Sequence, residues 1–366
     1  MKQLVTVIFI TLALQPKAFS QAGQIDKYVK GEMQKSHIPG ISVAVVHQGN
    51  VIFKQQYGLA NVELSVPVTA NSSFRIASLT KPITAIAVMM LAENGKISLD
   101  STLSHYLPEL PLQWSTVTVR QALSHTSGIA DYFESPDWSW RNSWRLDLTH
   151  QEFIDMTAKT PVLFKPGTDM KYSGTGFYLL GMLIEKLSGS SYQEYLDQHI
   201  FKPLKMNFTR RDTVEGIIPN RVSGYTFADG SLKNAEYTSE TWGYSEGGII
   251  TTASDLAKLD SALYTDKLLK HSSIEQMWTP SLLSNGKKGV IGDNGAGKPN
   301  YYGLGWFISY YNNHRIILHT GNKPGFSCAF FRFIDDNLTV IVLSNLSSPS
   351  PVYEIAGHIA DLCLLK

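Results

Sequence analysis

The stretch Phe74-Arg75-Ile76-Ala77-Ser78-Leu79-Thr80-Lys81-Pro82 decides how this chain is interpreted. Ser78 and Lys81 are three residues apart, a spacing that places both side chains on one face of a helix, close enough for an amine to touch a hydroxyl. Pro82 limits where that helix begins, because a proline in a helix interior clashes with the carbonyl four residues earlier, which here belongs to Ser78. The helix is therefore predicted to begin at about Ser78.

A serine at the start of a helix is well placed for nucleophilic catalysis. Free backbone N–H groups and the positive end of the helix dipole lie beside it and favour a developing oxyanion. The hydroxyl is a weak nucleophile until a base takes its proton, and a desolvated lysine can be that base. The pair Ser78 and Lys81 therefore predicts an enzyme that forms an acyl-enzyme intermediate.

Two other segments resemble catalytic serine motifs more weakly. Ser284 and Lys287 repeat the S-x-x-K spacing, but they lie in a stretch rich in glycine and lysine, 284–301, that is predicted to be a long surface loop. Ser245 is the centre of a G-x-S-x-G pattern, which marks a nucleophile only between a buried strand and a helix. The residues before it are mostly polar, and Gly248 and β-branched residues follow it, so a loop is predicted there.

The pattern of apolar residues predicts strands near both ends of the chain and helices between them. Strand-like runs occur at 41–46, 51–57, 304–310, 315–319, 327–333 and 339–344, and helical periodicity at 82–94, 176–187, 254–264 and 351–365. Ser254 can cap the third of these helices. This order indicates an α/β fold in which both chain ends (about 25–75 and 300–366) build one antiparallel sheet flanked by helices. A mainly helical region, about 78–280, is inserted between them.

Composition and charge exclude several classes of protein. The 366 residues are 43% hydrophobic and 17% charged, with 32 Lys plus Arg against 31 Asp plus Glu. A formal charge of +1 without a long charged run argues against nucleic acid as a partner. No metal-binding motif is present, and no cofactor is expected. Cys328 and Cys363 are expected to be buried thiols rather than a disulfide.

Residues 1–20 have the features of a signal peptide. Lys2 gives a positive start, a mostly apolar run extends from Leu4 to Leu14, and Ala18-Phe19-Ser20 places small residues at a cleavage site before Gln21. The apolar run is shorter than the ~20 residues that span a membrane, and no later stretch is long enough. We therefore expect an exported, periplasmic or secreted protein whose catalytic domain occupies 21–366, without a transmembrane anchor after signal removal.

Three motifs, taken in order, resemble the serine β-lactamase and penicillin-binding-protein superfamily, in the branch of class C β-lactamases, DD-peptidases and related esterases. Ser78-Leu79-Thr80-Lys81 is similar to the first motif, Tyr172-Ser173-Gly174 stands where Tyr-x-Asn is expected, and His319-Thr320-Gly321 is similar to the third. The segments 123–128 and 164–167 also fit the family pattern. The resemblance covers almost everything after the signal peptide. It implies a β-lactamase-like (DD-peptidase/transpeptidase-like) fold.

The resemblance also implies catalytic roles for the matched residues. Ser78 would attack the acyl carbon, and Lys81 would hold the Ser78 proton and keep Tyr172 polarised. Tyr172 would act as the base and then return the proton to the leaving group. The family therefore supplies a complete proton path around the nucleophile.

Substrate contacts are implied at the third motif. The backbone N–H of Asn322, the residue after Gly321 on an edge strand, would form the oxyanion hole together with the N–H of Ser78. His319 and Thr320 would meet a substrate carboxylate or polar tail. His125, in contrast, is expected to be a structural turn residue.

Gly174 departs from the family pattern. The asparagine expected there offers an amide to the acylamino side chain of the substrate and to the lysine, whereas glycine offers neither donor nor acceptor. A missing hydrogen bond in a closed site costs ~1–3 kcal/mol. Turnover of β-lactams and of D-Ala-D-Ala peptides is therefore expected to suffer more than cleavage of simple esters or small amides.

The region 131–147 contains five aromatic residues that either line the nucleophile's pocket or pack the helical region: Tyr132, Phe133, Trp138, Trp140 and Trp144. The sequence as a whole predicts an exported serine hydrolase that acts through an acyl-enzyme. Its substrate would be an ester, a D-amino-acid amide or peptide, or a β-lactam-like compound, as a small molecule or a cell-wall fragment. The alternative is a penicillin-recognising sensor module that is acylated without efficient turnover.

Overall fold

The computed structural model describes residues 15–139, 142–293, 297–347 and 349–364. The apolar part of the predicted signal peptide, Leu4–Leu14, and Trp140 lie outside the described residues. The first described helix, α1 (Gln15–Lys35), runs across the predicted cleavage point before Gln21. The sequence analysis did not predict this helix.

Fourteen strands are described, and nine of them form one antiparallel sheet with the order β3-β2-β1-β14-β13-β12-β11-β10-β9. The strands are β1 (Gly40–His47), β2 (Asn50–Asn61), β3 (Val66–Pro67), β4 (Phe74–Arg75), β5 (Arg210–Arg211), β6 (Tyr225–Ala228), β7 (Ser231–Asn234), β8 (Ile249–Thr251), β9 (Val290–Asp293), β10 (Pro299–Tyr302), β11 (Phe307–Tyr311), β12 (His314–Lys323), β13 (Phe326–Phe333) and β14 (Leu338–Ser344). β1 pairs with β14 from Ile41↔Ser344 to His47↔Leu338. The predicted fold class, with a sheet built from both chain ends, is confirmed.

Helices cover both faces of this sheet. Those after α1 are α2 (Thr80–Glu93), α3 (Leu103–Tyr106), α4 (Val119–Leu123), α5 (His150–Thr157), α6 (Gly174–Ser188), α7 (Tyr192–Leu196), α8 (Glu240–Gly247), α9 (Ala253–Ala262), α10 (His271–Met277) and α11 (Val352–Leu364). None of the described helices combines the length and apolarity that crossing a membrane requires.

The alternation of side chains along β14 explains why there are two apolar cores. Val340 and Val342 point to the face covered by α1 and α11, whereas Ile341 and Leu343 point to the face covered by the helical region. Because both faces of the strand are covered, it consists of apolar residues in succession rather than alternating apolar and polar ones. α2 lies in the core between the sheet and the helical region, and its residues are buried on nearly every side of the helix.

Two predictions of local structure outside the candidate site are wrong. Residues 284–301 do not form one long loop, since β9 lies within this segment, β10 begins in it, and the two strands pair with each other at the end of the sheet. The β-branched and aromatic residues beside the glycine-rich part explain this, because they pair readily with the otherwise open edge of β11. The cap of α9 is Thr252 rather than Ser254, as the Thr252 hydroxyl accepts a hydrogen bond from the Asp255 N–H at 3.0 Å.

Candidate active site

Ser78 lies in a short 3₁₀-helix, Ala77–Leu79, that leads directly into α2. The residue before it, Ala77, has a φ of +45°, in the left-handed region that non-glycine residues rarely adopt. The strained turn leaves the Ser78 side chain half-buried, whereas Lys81, one turn later, has 0% exposure. The helix start predicted from Pro82 agrees with this arrangement.

The Lys81 amine has three hydrogen-bond acceptors around it. Its Nζ lies 3.0 Å from the Ser78 Oγ, 2.9 Å from the Glu246 carbonyl oxygen and 2.5 Å from the Glu246 Oε2. Two of the acceptors belong to Glu246 and the third is the Ser78 hydroxyl, which can accept a hydrogen bond from the amine or donate one to its lone pair. The structure thus brings Ser78 and Lys81 together as predicted from their spacing, and adds a partner that the sequence analysis missed.

That partner, Glu246, lies in the segment predicted to be a loop around Ser245. The segment is instead the end of α8, which is kinked at Tyr244 (φ 31°, ψ −119°). Ser245 is fully buried, and its hydroxyl donates to the Phe177 and Tyr178 carbonyls at 2.9 and 3.2 Å. Ser245 is therefore a structural residue, while its neighbour Glu246 faces Lys81.

A second carboxylate, Asp131, lies beside the first. Its Oδ2 accepts a hydrogen bond from the Gly174 N–H at 2.6 Å. Burial, assisted by the charge of Glu246, raises the pKa of Asp131 to about 6. Tyr132 connects the two groups, because its hydroxyl donates to the Glu246 Oε1 at 3.0 Å.

The space beside Gly174 is already occupied. A Cβ atom added at this position would lie 3.0 Å from the Tyr132 Cε1, 3.3 Å from the Glu246 Oε2 and 3.4 Å from the Asp131 Oδ2. The glycine at the position of the family asparagine therefore leaves space for the Tyr132 ring and for the Glu246 carboxylate, which contacts Lys81. The site has a carboxylate where the family pattern leads one to expect an amide.

The ring of Tyr172 lies against the Lys81 amine. The Lys81 Nζ is 4.8 Å from the centre of the Tyr172 ring. Burial and the charge of Glu246 raise the pKa of Tyr172 well above its usual range, although a hydrogen bond with Ser78 acts in the opposite direction. Burial thus favours the neutral phenol form of Tyr172, a form that can donate a proton.

His125 packs against this tyrosine, with ring centres 4.2 Å apart. Its Nδ1 accepts the Ser173 N–H at 3.1 Å, and burial lowers its pKa well below 6.5. Its φ of +59° fits the turn residue that we expected. The sequence analysis did not predict its contact with Tyr172.

The third motif lies on β12, which is an interior strand and not the edge strand that was predicted. Its pairing with β11 ends at Phe307↔Leu318, so residues 319–323 extend past β11 and reach the turn before Ser78. A Cβ at Gly321 would lie 2.0 Å from the Ile76 carbonyl oxygen, so only glycine permits this approach. The extension gives β12 a local free edge next to the nucleophile, although the strand as a whole lies inside the sheet.

His319 is placed differently from the expectation that it meets a substrate. Its ring is 1% exposed, with the Nε2 3.1 Å from the Tyr302 hydroxyl and the Nδ1 2.7 Å from the Thr320 carbonyl oxygen. Burial, together with the charge of Lys81, lowers the pKa of His319 to about 3, so the ring is neutral at physiological pH. Thr320 is half-buried. The geometry supports packing of His319 behind Tyr172 rather than direct contact with a substrate.

A pocket of about 80 Å³ opens at Ser78. Its described wall contains these residues: Ala77, Ser78, Asp131, Tyr132, Phe133, Trp144, Tyr172, Gly243, Glu246, Gly247, Asn322 and Lys323. The aromatic residues of 131–147 therefore both line the pocket and pack within the helical region. Phe133 and Trp144 line the pocket, and Trp138 packs on Trp242 with ring centres 4.7 Å apart.

Neither a metal site nor a disulfide is found among the described residues. They contain no group of three or more His, Cys, Asp or Glu side chains that could hold a metal ion. Cys328 and Cys363 are both free thiols, as expected. Only Cys328 is fully buried, because Cys363 lies near the end of α11 and is partly exposed.

Comparisons with known proteins agree with this geometry. The profile of the family described as Beta-lactamase matches residues 25–363. Penicillin-binding protein 4* of Bacillus subtilis (strain 168) is 31% identical over 322 residues, which cover 83% of this chain and 67% of that protein. The chain spans 63 to 67% of the length of the curated relatives it matches.

Solved structures show the same likeness. An octameric penicillin-binding protein homologue from Pyrococcus abyssi is 28% identical with a TM-score of 0.78, over 94% of this chain and 77% of that chain. A D-amino acid amidase from Ochrobactrum anthropi SV3, complexed with L-phenylalanine amide, is 25% identical with a TM-score of 0.78, over 95% of this chain and 98% of that chain.

Proposed function

The chain belongs to the beta-lactamase family of serine hydrolases, and from this membership we propose that it cleaves small esters or amides through an acyl-enzyme on Ser78. The observation that carries the proposal is the 3.0 Å contact between the Lys81 Nζ and the Ser78 Oγ at the base of the pocket. A buried amine at this distance can take the hydroxyl proton as the oxygen attacks.

The chemical steps follow from the positions of the side chains. In the reactive form Lys81 is a neutral amine whose lone pair faces the Ser78 hydroxyl. The Ser78 Oγ bonds to the acyl carbon as its proton passes to the Lys81 Nζ, and the N–H groups of Ser78 and Asn322 stabilise the oxyanion. The Tyr172 phenol donates its proton to the leaving group and regains one from Lys81. Water then attacks the acyl-enzyme and releases the acid, which restores the Ser78 hydroxyl.

The pocket supports a small acyl group as substrate. It is a small pocket, with a volume of about 80 Å³, and the rings of Phe133 and Trp144 form part of its wall. Asp131 and Glu246 face the same space, so an acyl group that is neutral or carries an amine fits better than one that carries a carboxylate. The likeness to a D-amino acid amidase supports a D-amino-acid amide as one such substrate.

We predict that a short-chain phenol ester is hydrolysed with a kcat/KM about 5- to 150-fold higher than that for benzylpenicillin. Gly174 cannot supply the hydrogen bond to an acylamino group, a loss of ~1–3 kcal/mol, and ~1.4 kcal/mol corresponds to tenfold. Steady-state kinetics with both substrates and with D-phenylalanine amide measure this ratio. Efficient penicillin turnover would refute the substrate preference, and acylation by penicillin without release of product would favour the sensor module.

We also propose that the protein is exported, on the basis of Lys2, the apolar run 4–14 and the small residues before Gln21. The mature chain is expected to begin at or near Gln21. N-terminal sequencing of protein recovered outside the cytoplasm tests this, and an intact Met1 on that material would contradict it.

A further inference from the structure

We propose that Glu246 is the positioning residue for Lys81, and that it takes over the anchoring that a side chain at position 174 would otherwise provide. The inference rests on the proposed function, because it assigns Glu246 a role in the acylation of Ser78. Glu246 contacts the amine twice, through its carbonyl oxygen at 2.9 Å and its Oε2 at 2.5 Å. With two N–H groups of the amine engaged in this way, the remaining tetrahedral position of the Nζ, which is a lone pair in the neutral amine, is directed to the Ser78 Oγ at 3.0 Å.

The backbone around Glu246 is fixed by its neighbours. The Thr84 hydroxyl of α2 donates to the Ser245 carbonyl oxygen at 2.6 Å, so the end of α8 is held to the helix that carries Lys81. Gly181 of α6 permits close contact from the other side, since a Cβ there would lie 2.1 Å from the Ser245 Oγ. The kink at Tyr244 then turns Glu246 towards the lysine. These contacts make Glu246 a rigid support for the amine.

The carboxylate itself is also fixed. Its Oε1 accepts the Tyr132 hydroxyl at 3.0 Å, and the side chain is 11% exposed. A charge-assisted bond from an amine to a buried, oriented carboxylate is stronger than a neutral one. The charged and titratable groups that face it are Lys81, Asp131, Tyr132 and Tyr172. Lys81 is the only cation among these described groups, so the carboxylate acts on the nucleophile through it.

The test is the rate at which a fluorophosphonate labels Ser78 in Glu246→Gln. The substitution keeps the shape of the side chain and its backbone carbonyl, but removes the charge that holds the amine. We expect the maximal labelling rate to fall about 10- to 100-fold, the equivalent of one lost charge-assisted hydrogen bond. The probe concentration for half-maximal rate should change little, because Glu246 acts through Lys81 and not on the probe.

Asp260→Asn is the matched control. Asp260 lies on α9, is 0% exposed and accepts a hydrogen bond from the Arg332 Nε at 2.6 Å. This variant loses a comparable buried ion pair without touching Lys81 or the pocket wall, so its labelling rate should stay near that of the wild type. Thermal unfolding of both variants separates loss of stability from loss of positioning.

A pair of substitutions in the neighbouring space gives a second readout. Gly174→Asn alone should be slow, because its Cβ would crowd Tyr132 and the Glu246 carboxylate. Glu246→Ala alone should be slow because the amine loses its anchor. In Gly174→Asn/Glu246→Ala the amide can enter the vacated space and bind Lys81, so the double variant should be labelled faster than either single variant.

The outcomes are distinguishable. Labelling of Glu246→Gln at the wild-type rate or faster would overturn the role of Glu246 and leave the proposed function intact. If the glutamine variant does not fold, failure of the double variant to exceed both single variants would overturn it instead. No labelling of Ser78 in the wild type would show that the proposed function itself is wrong.

Discussion

Replacing Ser78 with alanine is expected to reduce ester turnover by about 10⁴-fold or more, the scale on which removal of a nucleophile acts. The Ser78 side chain is half-buried at the start of a helix and is the hydroxyl that Lys81 contacts. Alanine keeps the backbone N–H of residue 78 and leaves the fold unchanged. Steady-state hydrolysis of a short-chain phenol ester, with circular dichroism as the check on folding, measures the loss.

Ser284→Ala is the matched control for this prediction, since Ser284 has the same spacing to a lysine. The segment around Ser284 is a turn, closed by a hydrogen bond of 2.8 Å from the Leu283 N–H to the Lys287 carbonyl oxygen. The Ser284 hydroxyl donates to the Gly167 carbonyl at 3.1 Å. Its loss should leave turnover near the wild-type rate. A Ser78→Ala enzyme that retains most of its esterase rate would disprove the assignment.

Replacing Lys81 with methionine is expected to cost about 10³-fold in turnover and to destabilise the fold. The first loss arises because Lys81 is the amine that contacts the Ser78 hydroxyl and is proposed to take its proton. The second arises because Glu246, 11% exposed on its side chain, is left as a buried charge without its partner. Breaking such a pair costs ~3–5 kcal/mol. Turnover and the free energy of unfolding in urea are the two measurements.

The double variant Lys81→Met/Glu246→Gln separates these two effects. Without the unpaired carboxylate it should regain most of the lost stability while remaining inactive. Tyr172→Phe provides a comparison on the same proton path, with an expected loss of ~100-fold and little change in stability. Activity of Lys81→Met close to that of the wild type would show that another group is the base.

The contact between Ser78 and Lys81 could be predicted from the sequence because it is local. A spacing of three residues and the restriction imposed by Pro82 define both the helix start and the shared helix face. The helix α2 could also be predicted, because its apolar residues recur with helical spacing within the segment itself. Residues 319–321 could be placed in the site only through the resemblance to a family, since no local rule brings them to Ser78.

Glu246 could not be predicted in this way. Its contact with Lys81 joins residues 165 positions apart, and it depends on a kink at Tyr244 that no local pattern marks. The polar residues before Ser245, and Gly248 with β-branched residues after it, indicated a loop. The reason for glycine at position 174 could not be predicted either, because the side chains that occupy the space beside it come from distant segments of the chain.

The position of β12 shows a similar limit. The apolar run at 315–319 predicted a strand. It did not predict that the pairing of β12 with β11 ends at Phe307↔Leu318, which leaves residues 319–323 with a free edge on that side. Register between strands is set by the tertiary packing of both partners. His319 was misplaced for a related reason, because its burial follows from the packing of Tyr302 and Tyr172 around it.

The central claim is that the reaction passes through a covalent intermediate on Ser78. The most direct measurement is intact mass spectrometry with peptide mapping, after rapid quenching of the enzyme with a short-chain phenol ester and after exposure to a fluorophosphonate. We predict one adduct per chain on the peptide that contains Ser78, and no adduct in Ser78→Ala. An adduct on Ser245 or on any other residue, or an undiminished adduct in Ser78→Ala, would contradict the claim.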